Sequence, residues 1–98
     1  MLLHLPIIIL TSLHPTLVAD TVPKFDISRE CESEGGPQST QQTCVSDENQ
    51  ARGQLESEWA QFADRDRAEC FQETNTDGSP SYVEFLTCLE MARDVKKE

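Results

Sequence analysis

Residues 44–62, which read CVSDENQARGQLESEWAQF, decide the fold of this chain. The stretch places five apolar residues at helical spacing: Cys44, Ala51, Leu55, Trp59 and Phe62. At about 100° per residue these positions fall within an arc of roughly 80°, the width of a helix face that packs against a core. The stretch therefore predicts a long amphipathic helix, with Trp59 in the core and Cys44 on the buried face.

The segment between residues 20 and 38 is expected to be extended or irregular. Within it, residues 27–34 can form a short helical turn that carries Cys31. The sequence GGPQS at residues 35–39 is rich in residues that interrupt regular structure.

A helical domain is predicted for residues 39–98. Ser39, with Gln42 three residues later, has the form of a capping box and predicts the start of the long helix. Asp64 is expected to cap a second, shorter helix over residues 65–73.

The last helix is predicted to follow a turn at residues 75–78, NTDG. Ser79 has the chemistry of an N-cap and Pro80 that of a first helical position, and the helix should run to about Lys96. One side of it is apolar: Tyr82, Phe85, Leu86, Cys88, Leu89 and Ala92. No segment shows period-two alternation, so the expected fold is a small all-α, disulfide-stapled domain with one long, one short and one C-terminal helix.

The first 19 residues are typical of a signal peptide. Their apolar centre, residues 5–13, has the length of a signal-peptide core and is too short to span a bilayer. Pro15 ends this apolar run ahead of Ala19, a small residue that can precede a cleavage site. We expect residues 1–19 to be a cleaved leader of a periplasmic or secreted protein; the alternative is an uncleaved apolar N-terminus on a cytosolic protein.

Four cysteines follow the leader: Cys31, Cys44, Cys70 and Cys88. Their spacing contains no close Cys-x2-Cys pair of the kind that zinc sites use, and an exported protein favours disulfides. Four cysteines permit three pairings. We favour Cys31–Cys44 with Cys70–Cys88, because each bridge closes a short loop over a predicted break. The rival pairing joins Cys31 to Cys88 and Cys44 to Cys70.

Charge and histidine content exclude several functions. Every Lys, Arg, Asp and Glu follows the leader, so the net charge of −10 is kept after cleavage. This charge repels nucleic acids and anionic lipids and favours a cationic protein partner. His4 and His14 both lie in the leader, which leaves no imidazole to activate a Ser or Thr nucleophile. We expect no enzymatic activity, no cofactor and no membrane insertion after cleavage.

Residues 73–84, ETNTDGSPSYVE, resemble an EF-hand calcium loop. The candidate ligands are Glu73, Asn75, Asp77, the Ser79 carbonyl and Glu84. Against this, the first ligand is Glu where such loops use Asp, Pro80 lacks the amide through which paired loops join, and the chain has no second loop. A polar turn between two helices is therefore the main interpretation, and a single weak calcium site is the alternative.

Several motifs resemble a family of small exported bacterial proteins of unknown function. They include Trp59-x-x-Phe62, Asp66-Arg67-x-x-Cys70 and SYVEFLTCLEMA at residues 81–92, and the resemblance spans roughly residues 22–98.

A more distant similarity is to the LprI-type lysozyme-inhibitor family. That family also has an N-terminal Cys pair, a helix ending in Trp-x-x-aromatic, and a later Cys pair around a Gly-containing turn. Here the interval from Trp59 to Cys70 is longer, and the tail after Cys88 differs. The similarity implies a non-catalytic cell-envelope interaction module that binds or inhibits a cationic protein such as lysozyme.

Overall fold

The computed structural model describes residues 21–97, which form four helices. They are α1 (Ile27–Glu34), α2 (Gln38–Glu58), α3 (Asp64–Thr74) and α4 (Tyr82–Lys97). A 3-10 turn, Trp59–Gln61, directly follows α2. These residues contain no strand, so the fold is all-α, as the sequence predicted. The predicted leader, its predicted cleavage site and both histidines lie outside the described residues.

Four of the five residues of the predicted apolar stripe are confirmed as core: Ala51, Leu55, Trp59 and Phe62 are buried, whereas Cys44 is half-buried and lies outside the core cluster. The helix itself ends at Glu58, so Trp59 lies in the 3-10 turn and Phe62 directly after it. The Trp59 ring meets the Phe85 ring edge-on with centroids 5.8 Å apart, and the Arg67 guanidinium lies 5.0 Å from the Trp59 ring centre. The predicted apolar side of α4 completes this core, since α4 packs against both α2 and α3. None of the described helices combines the length and apolarity that crossing a bilayer requires.

The N-terminal segment is more ordered than expected. Residues 27–34 form a helix of two turns, and Asp26 caps it by accepting a 3.1 Å hydrogen bond from the Arg29 amide. The extended residues before α1 dock on the core through Tyr82. Its hydroxyl accepts a 2.8 Å bond from the Phe25 amide and donates a 2.9 Å bond to the Pro23 carbonyl.

Two predicted helix starts are wrong. The first helical residue of α2 is Gln38, and its N-cap is Pro37, whose carbonyl accepts from the amides of Thr40 and Gln41. Ser39 therefore lies inside the first turn and cannot form a capping box with Gln42. Asp64 is likewise the first residue of α3 and not its cap.

The start of α4 is also later than predicted. Ser79 and Pro80 precede the helix, and the Ser81 hydroxyl makes the capping bond, accepting from the Glu84 amide at 3.2 Å. The Ser81 amide is held by the Thr74 hydroxyl at 3.1 Å. This bond back to α3 fixes Ser81 as the cap and leaves Ser79 in the turn.

The disulfide pairing is the one that the sequence analysis favoured. Cys31 bonds to Cys44 and Cys70 bonds to Cys88, with 5.7 Å between the Cα atoms of each pair. The first bridge fastens α1 to the beginning of α2, and the second joins α3 to α4. Two such bridges indicate a protein of an oxidising, extracellular environment, because disulfides are rare in the cytosol.

Candidate functional site

The residues of the predicted calcium loop surround the turn between α3 and α4. Glu73 lies on the last turn of α3 with Oε1 3.6 Å from Cys88 Sγ. The side-chain amide of Asn75 donates to the Phe71 carbonyl at 2.9 Å, back towards α3. Asp77 accepts from the Ser79 amide at 3.0 Å, which closes a tight turn at Gly78, where φ is 79°.

The Asn75 side chain is engaged by the Phe71 carbonyl and so is turned towards α3. Among residues 21–97, no group of three or more His, Cys, Asp or Glu side chains is arranged to hold a metal ion. Ser79 instead binds α1, because its hydroxyl donates to Glu30 Oε1 at 2.8 Å. The structure therefore uses the turn to join α1, α3 and α4, and calcium binding stays a prediction.

Glu84, the last residue of this loop, lies in a negative environment. Partial burial of its carboxyl group raises its pKa, and the nearby carboxylates of Glu30, Asp77 and Glu48 raise it further. Glu84 makes no ion pair with a basic side chain that the structure describes. The negative charge at the start of α4 is thus not neutralised within the described part of the molecule.

Glu48 is the residue whose role sequence analysis missed. It is only 3 % exposed, and its carboxylate accepts two 2.6 Å hydrogen bonds, from the Ser81 hydroxyl and from the Tyr82 amide. A carboxylate at this place satisfies a free N–H of the first helical turn and complements the helix dipole. Glu48 therefore belongs to the core as a cap for α4, supplied by α2.

The side of α4 opposite the core carries exposed apolar residues. We define the outer face of α4 as Val83, Thr87, Met91 and Val95, which follow one another at four-residue spacing. All four are exposed, and residues four apart share one side of a helix. A shallow groove of about 470 Å³ runs beside this face, and its walls include Glu73 and Glu84 as well as Val83 and Met91.

Two basic side chains of α4, those of Arg93 and Lys96, point away from the outer face. The Arg93 guanidinium donates to Glu58 at 2.9 Å and lies 5.0 Å from the Phe62 ring centre. The Lys96 ammonium donates to Asp66 at 2.7 Å. These two cations face α2 and α3, and among the side chains that the structure describes the groove beside α4 is lined by carboxylates and apolar groups, without a basic residue.

Comparison with known protein families, with curated proteins and with solved structures finds no match to this chain.

Proposed function

We propose that this chain is an exported, non-catalytic interaction module of the periplasm or the secreted fraction. Its partner would be a cationic protein, of which a cell-wall lysozyme is the example that the sequence similarity suggests. The observation that carries the proposal is the net charge of −10 on a small chain stapled by two disulfides. A protein with such a charge attracts cationic proteins and associates with them faster than a neutral protein would.

The test is direct binding of the oxidised protein, residues 20–98, to a basic lysozyme by titration calorimetry. Binding should be clear at about 20 mM salt and should weaken as salt rises to about 300 mM, because charges are screened within about 6 Å there. Lytic activity of the lysozyme on cell walls should fall in parallel. A second basic protein of similar charge, without lytic activity, separates selective binding from general charge attraction. No binding to any basic protein at low salt would contradict the proposal.

A second candidate function is binding of one calcium ion at residues 73–84. It is favoured by the arrangement of α3, the turn at Gly78 and α4, which follows the helix–loop–helix order of an EF-hand. The ligand Asn75 is turned towards Phe71, and so we rank this candidate second.

Calcium titration by calorimetry tests the second candidate. A saturable signal of one ion per chain at up to about 1 mM calcium is expected if the site exists. The signal should be lost in Glu84→Gln and kept in Glu32→Gln, which removes an exposed carboxylate on α1. A flat titration contradicts calcium binding.

A further inference from the structure

The exposed apolar surface of the described residues is concentrated on one helix face. Val83, Met91 and Val95 are 40 %, 64 % and 70 % exposed, and they are the large apolar side chains that lie open to solvent in residues 21–97. Single exposed apolar residues scattered over a surface need no explanation. Here all three belong to the outer face of α4, which extends over roughly 18 Å of helix.

Carboxylates flank this apolar face. Glu73 on α3 and Glu84 on α4 line the groove beside Val83 and Met91, and no described basic side chain pairs with either. The raised pKa of Glu84, caused by partial burial and then by Glu30, Asp77 and Glu48, fits a surface whose negative charge lacks a counter-charge. The surface is thus apolar, and the negative charge beside it is not paired with a described basic side chain.

A second copy of this chain is a poor occupant of the outer face of α4. Pairing two such faces would place the Glu73 and Glu84 carboxylates of each copy at one interface, between two chains that each carry a charge of −10. Like charges placed opposite each other across an interface cost several kcal/mol. A partner that carries both exposed apolar groups and positive charge would complement the apolar residues and the carboxylates of this surface.

We propose that the outer face of α4 docks a basic amphipathic helix of the partner protein, with Lys or Arg side chains next to its apolar residues. The apolar side chains of that helix would cover Met91 and Val95, and its cations would pair with Glu73 and Glu84. This inference rests on the proposed function and names the surface that performs it. Helices that present one apolar face to a groove are a common mode of protein recognition.

The test uses three variants of the oxidised protein and two probes. Met91→Gln with Val95→Gln removes the apolar surface, and Glu73→Gln with Glu84→Gln removes the flanking charge. Glu32→Gln with Glu34→Gln removes the same charge from α1 and serves as the matched control. The probes are a helical peptide of Leu and Lys with one apolar face, and the basic lysozyme. Thermal unfolding of each variant checks that the exposed substitutions leave the fold intact.

The two face variants should each weaken binding of the peptide and of lysozyme about tenfold, which corresponds to about 1.4 kcal/mol. The α1 control should change either affinity less than about twofold, because it lies away from the outer face. A peptide of Leu and Glu should not bind the wild-type protein.

The outcomes separate this inference from the proposed function. If wild-type protein binds lysozyme but all three variants bind it equally well, the outer face of α4 is not the docking surface, while the proposed function stands. If wild-type protein binds neither probe and also fails to bind the second basic protein at low salt, both are overturned. A dimer in sedimentation that is lost on Met91→Gln with Val95→Gln would identify a second copy as the occupant and overturn the inference.

Discussion

Glu48 joins two helices through one buried carboxylate. Replacing it with Ala removes both acceptor oxygens, so the Tyr82 N–H and the Ser81 O–H are left buried without an acceptor. We expect Glu48→Ala to lower the free energy of unfolding by about 3 kcal/mol, measured by urea denaturation. Asp47→Ala, at the exposed neighbouring position, should change it by less than about 0.5 kcal/mol. Equal losses in the two variants would show that the carboxylate does not cap α4.

The same residue shows where sequence analysis reaches its limit. Glu48 interrupts the apolar stripe of α2, and in sequence it resembles a flaw in the pattern. Its partners are Ser81 and Tyr82, 33 and 34 residues further along the chain, so no local pattern reveals them. The cap of α4 itself could have been found, because Ser81 and Glu84 have the Ser-x-x-Glu spacing of a capping box.

Glu84 gives a prediction on pH dependence. Its pKa in the folded protein is raised above the ordinary 4.5, so the folded state holds this proton more tightly than the unfolded state. The stability associated with this group is therefore present below pH 4.5 and is lost as pH rises through the folded pKa. Glu84→Gln should be more stable than wild type at pH 7, and the difference should disappear at acidic pH. Melting temperatures across this range measure it; an advantage that grows towards acid would contradict the direction of the shift.

At the scale of the element, the two disulfides should stabilise different parts of the molecule. Cys31–Cys44 fastens α1 to α2, and neither cysteine belongs to the core cluster, whereas Cys70 is part of that cluster and Cys88 packs against it. In Cys31→Ser/Cys44→Ser we expect faster amide hydrogen exchange in α1 with little change in α3 and α4. Cys70→Ser/Cys88→Ser should lower global stability by about 3 kcal/mol, the loop-closure value for a bridge of this span. Faster exchange throughout the first variant would show that α1 is integral to the core.

The elements themselves were largely predictable, and their starting points were not. The spacing of Leu55, Trp59 and Phe62 identified the core helix, because helical burial repeats with a fixed period, although α2 ends at Glu58 and the last two residues follow it. The residue at which a helix starts depends on which polar group accepts a hydrogen bond from a free backbone amide. Several such polar groups lie near each predicted break. At α4 the choice between Ser79 and Ser81 was decided by the Thr74 hydroxyl of α3, a tertiary contact. The outer face of α4 was hidden for the same reason, since the orientation of Arg93 and Lys96 depends on α2 and α3.

At the scale of the whole molecule, the core depends on α4, which contacts both α2 and α3 and also holds the N-terminal segment through Tyr82. A single helix therefore places its inner face in the core and its outer face in solvent. This arrangement means that a partner can dock on the outer face without the core having to open. Binding by such a pre-formed surface avoids the cost of ordering a flexible segment.

The net charge of −10 leads to opposite expectations for stability and for binding. Repulsion among the excess carboxylates destabilises the compact state, and salt screens that repulsion. Raising salt from about 10 mM to about 150 mM, where the screening length falls to about 8 Å, should therefore raise the melting temperature of the free protein. A gain of about 1 kcal/mol in the free energy of unfolding would appear as a rise of about 4 °C or more in the melting temperature of a domain of this size.

The same rise in salt should weaken binding to a basic partner, because in the complex it screens attraction. A melting temperature that falls with salt would mean that the Arg93–Glu58 and Lys96–Asp66 pairs outweigh the repulsion, and the excess negative charge would then be less available to a partner.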